Sequence, residues 1–178
     1  ALILDALSRI DIPGLLLILV PRHPQRFDEV AALARARGLG VKRRSLEEFP
    51  ASDTAIWLGD SMGEMASYYA AADIALIGGS LLPFGGQNLI EAAACGCPVL
   101  VGPHTFNFAQ AASDALSCGA ARLVPDVEAL PAVLCEVLAD PAQRIDMKEK
   151  AVAFSRSHQG ATERTMALLA PLVAGYRG

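Results

Sequence analysis

The chain has 178 residues, 53% of them hydrophobic and 19% charged, with a net charge of −4 and an isoelectric point near 5.3. That length suits one domain with a substantial core, and the acidic balance speaks against a general nucleic-acid binder, which carries a basic excess. No apolar run approaches the ~20 residues that span a bilayer, and the N-terminus does not read as a signal peptide.

In chain order, Ala1–Leu7 reads as the tail of a helix. Leu15–Val20 (LLLILV) reads as a buried strand, and Gln25–Arg37 as an amphipathic helix with Phe27, Val30, Ala31, Leu33 and Ala34 on one side and Gly38 at its end. Val41–Ser45 is a short, polar strand expected near an edge, and Thr54–Leu58 a buried one. Ser61-x-x-Glu64 has the form of a capping box opening a helix through Ala72. The segment Ile74–Val101 then runs strand (Ile74–Ile77), glycine-rich loop, helix (Asn88–Cys95), strand (Val99–Val101), with Asn88-x-x-Glu91 as a second capping box. A helix over about Phe108–Ser117 ends at Gly119, and Ala121–Val124 is the last strand. The remainder is helical: Val127–Ala139, Pro141 to about Ser157, and about Gly160–Ala174.

Strands alternating with helices, the runs Ile74–Ile77 and Val99–Val101 among them apolar throughout, specify a doubly wound parallel α/β sheet of Rossmann-like type. Such a domain ordinarily begins with a strand, whereas this chain begins inside a helix. The expectation is that the first strand is missing and that the chain is part of a longer protein. The four cysteines (Cys95, Cys97, Cys118, Cys135) show no Cys-x-x-Cys spacing. They read as buried small hydrophobes in a reducing compartment rather than as a metal site or disulfides.

Ligands of open α/β sheets bind outside the carboxyl ends of the strands. Three loops fall there. Pro21-Arg22-His23-Pro24 holds Arg22 on a stiff turn, either as a guanidinium for a phosphate or as an ordinary surface arginine; His23 reads as structural. Met62-Gly63-Glu64 is either a capped helix start or a close backbone approach to a base or ribose. Glu91 either caps Asn88 or accepts hydrogen bonds from ribose hydroxyls. Glycines ahead of Asn88 let backbone N–H groups approach an anion, although neither GxGxxG nor the Lys-Ser/Thr of a P-loop is present. Gly102-Pro103-His104-Thr105, at the same sheet end, reads as a tight turn, with the lining of a pocket as the alternative. There is no Gly-x-Ser-x-Gly elbow, no metal-ligand cluster and no convincing carboxylate pair.

The motifs PRHPQRF (Pro21–Phe27), GDSMGEM with YYAAADIALIGGSL (Gly59–Leu81), and GGQNLIEAAACGCPVLVGPHTFNF (Gly85–Phe108) closely resemble the C-terminal domain of bacterial 3-deoxy-D-manno-octulosonic acid (Kdo) transferases, and the resemblance runs through almost the whole chain. It implies the C-terminal half of a GT-B fold, with 1–178 as a single domain that binds the sugar nucleotide CMP-Kdo. The acceptor, a lipid A precursor, the catalytic glutamate and the membrane association would belong to an N-terminal domain outside this chain. By resemblance the CMP contacts are Pro21 and Arg22; Met62, Gly63 and Glu64; and Asn88, Leu89, Ile90 and Glu91. No catalytic residue, metal or cofactor is implied here. The chain departs from many members at Gln87 and Leu89, where histidine and proline are usual.

The implied activity is Kdo transfer in lipopolysaccharide synthesis at the cytoplasmic face of the inner membrane, with the chain itself soluble and inactive alone. Arg22 and the helix starts at Met62 and Asn88 would offset the charge of departing CMP. Two alternatives stand beside it: half of a UDP-sugar epimerase or another GT-B enzyme, and a non-catalytic nucleotide-binding module.

Overall fold

The computed structural model describes residues 2–158 together with 166, 169 and 170. The chain runs α1 (Leu2–Leu7), β1 (Leu17–Leu19), α2 (Phe27–Arg35), β2 (Val41–Arg43), β3 (Ile56–Leu58), α3 (Met65–Ala71), β4 (Ala75–Leu76), α4 (Ile90–Ala94), β5 (Val99–Val101), α5 (Ala109–Cys118), β6 (Ala121–Leu123), α6 (Leu130–Ala139) and α7 (Pro141–Ser157). The expected helix over Gly160–Ala174 lies outside the described residues, apart from helical backbone at Met166, Leu169 and Ala170.

All strand pairs are parallel, as expected from strands alternating with helices, but they form two three-stranded sheets rather than one continuous sheet, in the orders β1-β3-β2 and β4-β5-β6. The short polar strand β2 takes the edge expected of it. β1 departs from expectation: it lies at the other end of its sheet and is half-buried along its length, since a strand with one neighbour keeps one flank uncovered.

The central strand β5 is covered on both faces. Val99 and Val101 turn to a cluster with Ala92 and Ala93 of α4, Ala112 and Ala115 of α5, and Ala151 and Phe154 of α7. Leu100 turns to Leu130 and Val133 of α6 and Val124. These strand residues have no exposed surface, and burying each such aliphatic side chain contributes roughly 1.5–3 kcal/mol. The alanines explain the high apolar content, because small side chains let the helices lie close to the sheet. α1 links the two sheets: Leu4 packs with Ile56 of β3, and Ala6 with Leu100 of β5.

Helix starts depend on local chemistry. α7 is set as the sequence indicates, with Pro141 at its first position and the Asp140 carboxylate accepting from the Gln143 N–H at 2.9 Å. Of the cysteines only Cys97 is buried, and burial pushes its thiol up to about 12; Cys118 is exposed, contrary to expectation, because the last turn of α5 faces outward there. Among the described residues no helix is long and apolar enough to cross a membrane.

Candidate functional site

The carboxyl ends of β1, β3, β4 and β5 present four loops, and their packing shows which lie together. Gly59, at the end of β3, has no room for a side chain: a Cβ there would stand 2.8 Å from Val20 Cγ2 and 2.9 Å from Tyr68 Cζ. The glycine therefore lets the β1 loop and the first turns of α3 close over the β3 end. α3 in turn packs on α4. Tyr69 of α3 lies near Glu91 of α4, and its hydroxyl is pushed up to about 12, chiefly by burial and then by that carboxylate.

Arg22 is exposed and, among the described residues, makes no ion pair or side-chain hydrogen bond. The nearby arginines are engaged: Arg26 with Glu29, Arg43 with Asp60 and Asp28, Arg44 with Glu64. Arg22 is thus the uncommitted cation of the β1 loop, following Pro21.

The second group takes a different form from the capping box read in the sequence. α3 begins at Met65, and Ser61 and Glu64 lie ahead of it. The Ser61 hydroxyl donates to Glu64 Oε2, Tyr68 Oη to the same oxygen at 3.3 Å, and Arg44 Nη2 to Oε1 at 2.9 Å. These partners, the serine first, hold the Glu64 carboxyl below the usual carboxylate range. The carboxylate is spent on fixing the loop. Gly63, with φ of 79°, and Met62, which is 75% exposed, offer backbone and an apolar surface instead.

The third group is likewise reshaped. α4 begins at Ile90; Asn88 Oδ1 accepts from the Ile90 N–H at 3.0 Å, a turn one residue tighter than a capping box. Asn88 Nδ2 reaches Glu91 Oε1 only at 3.4 Å. Glu91 is exposed and its other oxygen has no protein donor among the described residues, so it can accept hydrogen bonds from outside. Leu89 as a whole residue is 1% exposed, and Ile90 packs in part on the same core with its N–H taken by Asn88, so these two support the loop from beneath. α3 has seven residues and α4 five, too short for the full dipole of a long helix, which leaves Arg22 as the main positive charge.

Residues 102–107 do more than turn. Ser80 is fully buried; its hydroxyl donates to the Ile77 carbonyl at 2.6 Å and accepts from the Gly102 N–H at 2.8 Å, and its carbonyl accepts from the His104 N–H at 2.9 Å. The β5 loop is therefore fastened to the glycine-rich loop. Sequence reading missed this role for Ser80 and Asn107, whose partners lie more than twenty positions away. Asp60, also missed, is a buried anchor accepting from Arg43 Nε and from the amide and hydroxyl of Ser45. Among the described residues no group of three or more His, Cys, Asp or Glu is placed to hold a metal ion.

Comparison with known proteins gives this arrangement a family. The model of the family described as "Glycosyl transferases group 1" matches residues 36–154. A 3-deoxy-D-manno-octulosonic acid transferase of Bordetella pertussis is 52% identical over 155 residues, covering 86% of this chain and 36% of that protein. One of Haemophilus influenzae is 51% identical over 96 residues, 54% of this chain and 22% of that protein. The chain thus spans about a third or less of these relatives' length. The crystal structure of the C-terminal CMP-Kdo binding domain of WaaA from Acinetobacter baumannii matches with a TM-score of 0.80 at 33% identity, covering 85% of this chain and 80% of that one. WaaG, a glycosyltransferase involved in lipopolysaccharide biosynthesis, matches at a TM-score of 0.63 and 18% identity over 94% of this chain and 42% of that one, a likeness of fold alone. The doubly wound α/β architecture is therefore the Rossmann-like half of a GT-B glycosyltransferase, and the chain belongs to the group 1 glycosyl transferases, on the branch formed by the C-terminal domains of the Kdo transferases.

Proposed function

We propose that this chain is the donor-binding domain of a Kdo transferase: it holds CMP-Kdo while the sugar passes to a lipid A precursor bound by an N-terminal domain that also supplies the catalytic base and the contact with the inner membrane. The carrying observation is that, among the described residues, Arg22 on the loop after β1 and Glu91 in the first turn of α4 stay uncommitted, one cation and one carboxylate acceptor at the carboxyl end of the sheets. The likeness to a CMP-Kdo binding domain supports the choice of nucleotide. In this reading Arg22 faces the phosphate of CMP and offsets the charge that develops as CMP leaves, without a metal. Glu91 accepts from the ribose hydroxyls. Pro21, Met62, Gly63, Asn88, Leu89 and Ile90 shape the cradle, the last two by packing beneath it. A UDP-sugar epimerase half is the reading this one displaces.

Titration calorimetry with CMP, UMP and 2′-deoxy-CMP tests it. Wild type should prefer CMP. Glu91→Gln should keep its fold, because Gln retains the weak contact to Asn88, and lose a charge-assisted hydrogen bond of about 1.5–3 kcal/mol, raising the Kd for CMP on the order of tenfold or more. Equal CMP affinity in the two proteins would reduce Glu91 to a helix-start residue, and no preference for CMP over UMP would remove the donor assignment.

Gly86→Val is a second, milder test. Gly86 has φ of 73°, and a Cβ there would meet the His104 carbonyl oxygen at 3.4 Å. A left-handed conformation costs a branched residue about 1–2 kcal/mol. The loop should therefore shift and CMP affinity fall more than thermal stability does; unaltered affinity in the folded variant would show that the loop does not cradle the nucleotide.

A further inference from the structure

The glycine-rich loop between β4 and α4 has no regular structure, yet it is closed at two levels. At its base its own backbone pairs: the Gly86 N–H donates to the Gly79 carbonyl and the Gln87 N–H to the Gly78 carbonyl, both at 3.0 Å. Its tip is held from outside by one side chain. Asn107 Nδ2 donates to the carbonyls of Phe84 at 3.2 Å and Gly86 at 3.4 Å, and the Asn107 backbone N–H donates to the Gly85 carbonyl at 3.0 Å. A Cβ on Gly85 would lie 2.4 Å from that Nδ2, so the amide occupies the space the glycine leaves open. Three consecutive loop residues thus answer to one asparagine on the β5 loop, and the next residues along the chain are Gln87 and Asn88.

We propose that Asn107 is a positioning residue for the nucleotide donor, acting through the glycine-rich loop to set where Asn88 and Glu91 stand. This rests on the donor-binding reading above. A carboxamide suits this place: both facing groups are carbonyl acceptors, and its NH2 carries two donors, one for each. Asn107 is exposed, where hydrogen bonds add little to global stability, so loop placement and overall stability separate.

The test uses Asn107→Ala and the isosteric Asn107→Asp. In both, melting temperature should stay within about 4 °C of wild type, while amide hydrogen exchange at Gly86 and Gln87 quickens and the Kd for CMP rises on the order of fivefold to tenfold, the equivalent of about one net hydrogen bond. Asp should be the worse of the two, because its carboxylate faces two carbonyl oxygens, an ordering that mere loss of packing would reverse. Unchanged exchange at Gly86 and Gln87 overturns the clamp. Unchanged CMP affinity beside a binding-competent wild type overturns the positioning role alone. A wild type that does not bind CMP overturns the donor reading and this proposal with it.

Discussion

Replacing Asp60 by alanine is expected to lower folding stability by about 3–5 kcal/mol, the range for removing one partner of a buried ion pair. The Asp60 side chain is fully shielded from solvent and accepts from Arg43 Nε at 2.6 Å, from the Ser45 hydroxyl at 2.6 Å and from the Ser45 amide at 2.8 Å. Its loss strands these donors. The Arg43 guanidinium then keeps, among the described residues, only Asp28, which is 90% exposed and screened by water. The damage should spread along a short path: Ser45 lies in the 3-10 turn Arg44–Leu46, and Arg44 holds Glu64 beside Gly63. CMP affinity should therefore weaken in any Asp60 variant that still folds.

The same carboxylate makes stability depend on pH in a fixed direction. Burial pushes the Asp60 pKa up, but the Ser45 hydroxyl and amide and the Arg43 guanidinium together outweigh it and hold the carboxyl below its ordinary value. A carboxyl with a depressed folded pKa releases its proton more readily in the folded state. Its contribution is fully present above the unfolded value of about 3.9 and is lost as pH falls through the lower folded value. Urea unfolding measured from neutral pH downward should show wild-type stability dropping as the solution passes below about pH 4, with a flatter profile for Asp60→Asn. Parallel profiles for the two proteins would assign the acid sensitivity to other carboxylates, Glu64 among them.

Gly102→Ala should destabilise the second sheet by about 3 kcal/mol, the upper end for overpacking a filled site, which lowers the melting temperature by roughly 6–12 °C in a chain of this size. The cause is space alone. A Cβ at Gly102 would fall 2.3 Å from the Ser80 carbonyl oxygen, 2.5 Å from its carbon and 2.6 Å from the Leu81 nitrogen, all backbone atoms that cannot turn aside. Relief requires the β5 loop to part from the glycine-rich loop, which breaks the Gly102-to-Ser80 and His104-to-Ser80 hydrogen bonds together. Faster amide exchange at residues 102 and 104 should accompany the drop. A melting temperature equal to wild type would mean that the two loops are not rigidly fastened.

The identity and order of the elements were legible in the sequence because they rest on local signals. The apolar run Val99–Val101 announces a strand buried on both faces, and the helix read from Pro141 to about Ser157 is found over those residues; both are borne out. Boundaries were less legible where tertiary contacts compete with local ones. Ser61-x-x-Glu64 has the spacing of a capping box, yet Arg44 and Tyr68 draw Glu64 into a side-chain network, and α3 starts later as a result. Asn88-x-x-Glu91 loosens in the same way, because Asn88 turns to the Ile90 amide and leaves Glu91 for solvent or a ligand.

What the sequence by itself determined was a parallel α/β chain with candidate ligand loops after β1, β3 and β4, since strand, loop and helix are written in residues a few positions apart. What only the tertiary structure decided was the work each side chain in those loops performs. It committed Glu64 to Arg44, Leu89 to the core, Asp60 to Arg43 and Ser45, and Asn107 to the Gly85-Gly86 backbone, while leaving Arg22 and Glu91 uncommitted among the described residues. The physical reason is range: a hydrogen bond or a close contact between segments some 15–23 residues apart depends on how the chain returns on itself, and no periodicity within a window of residues records that return.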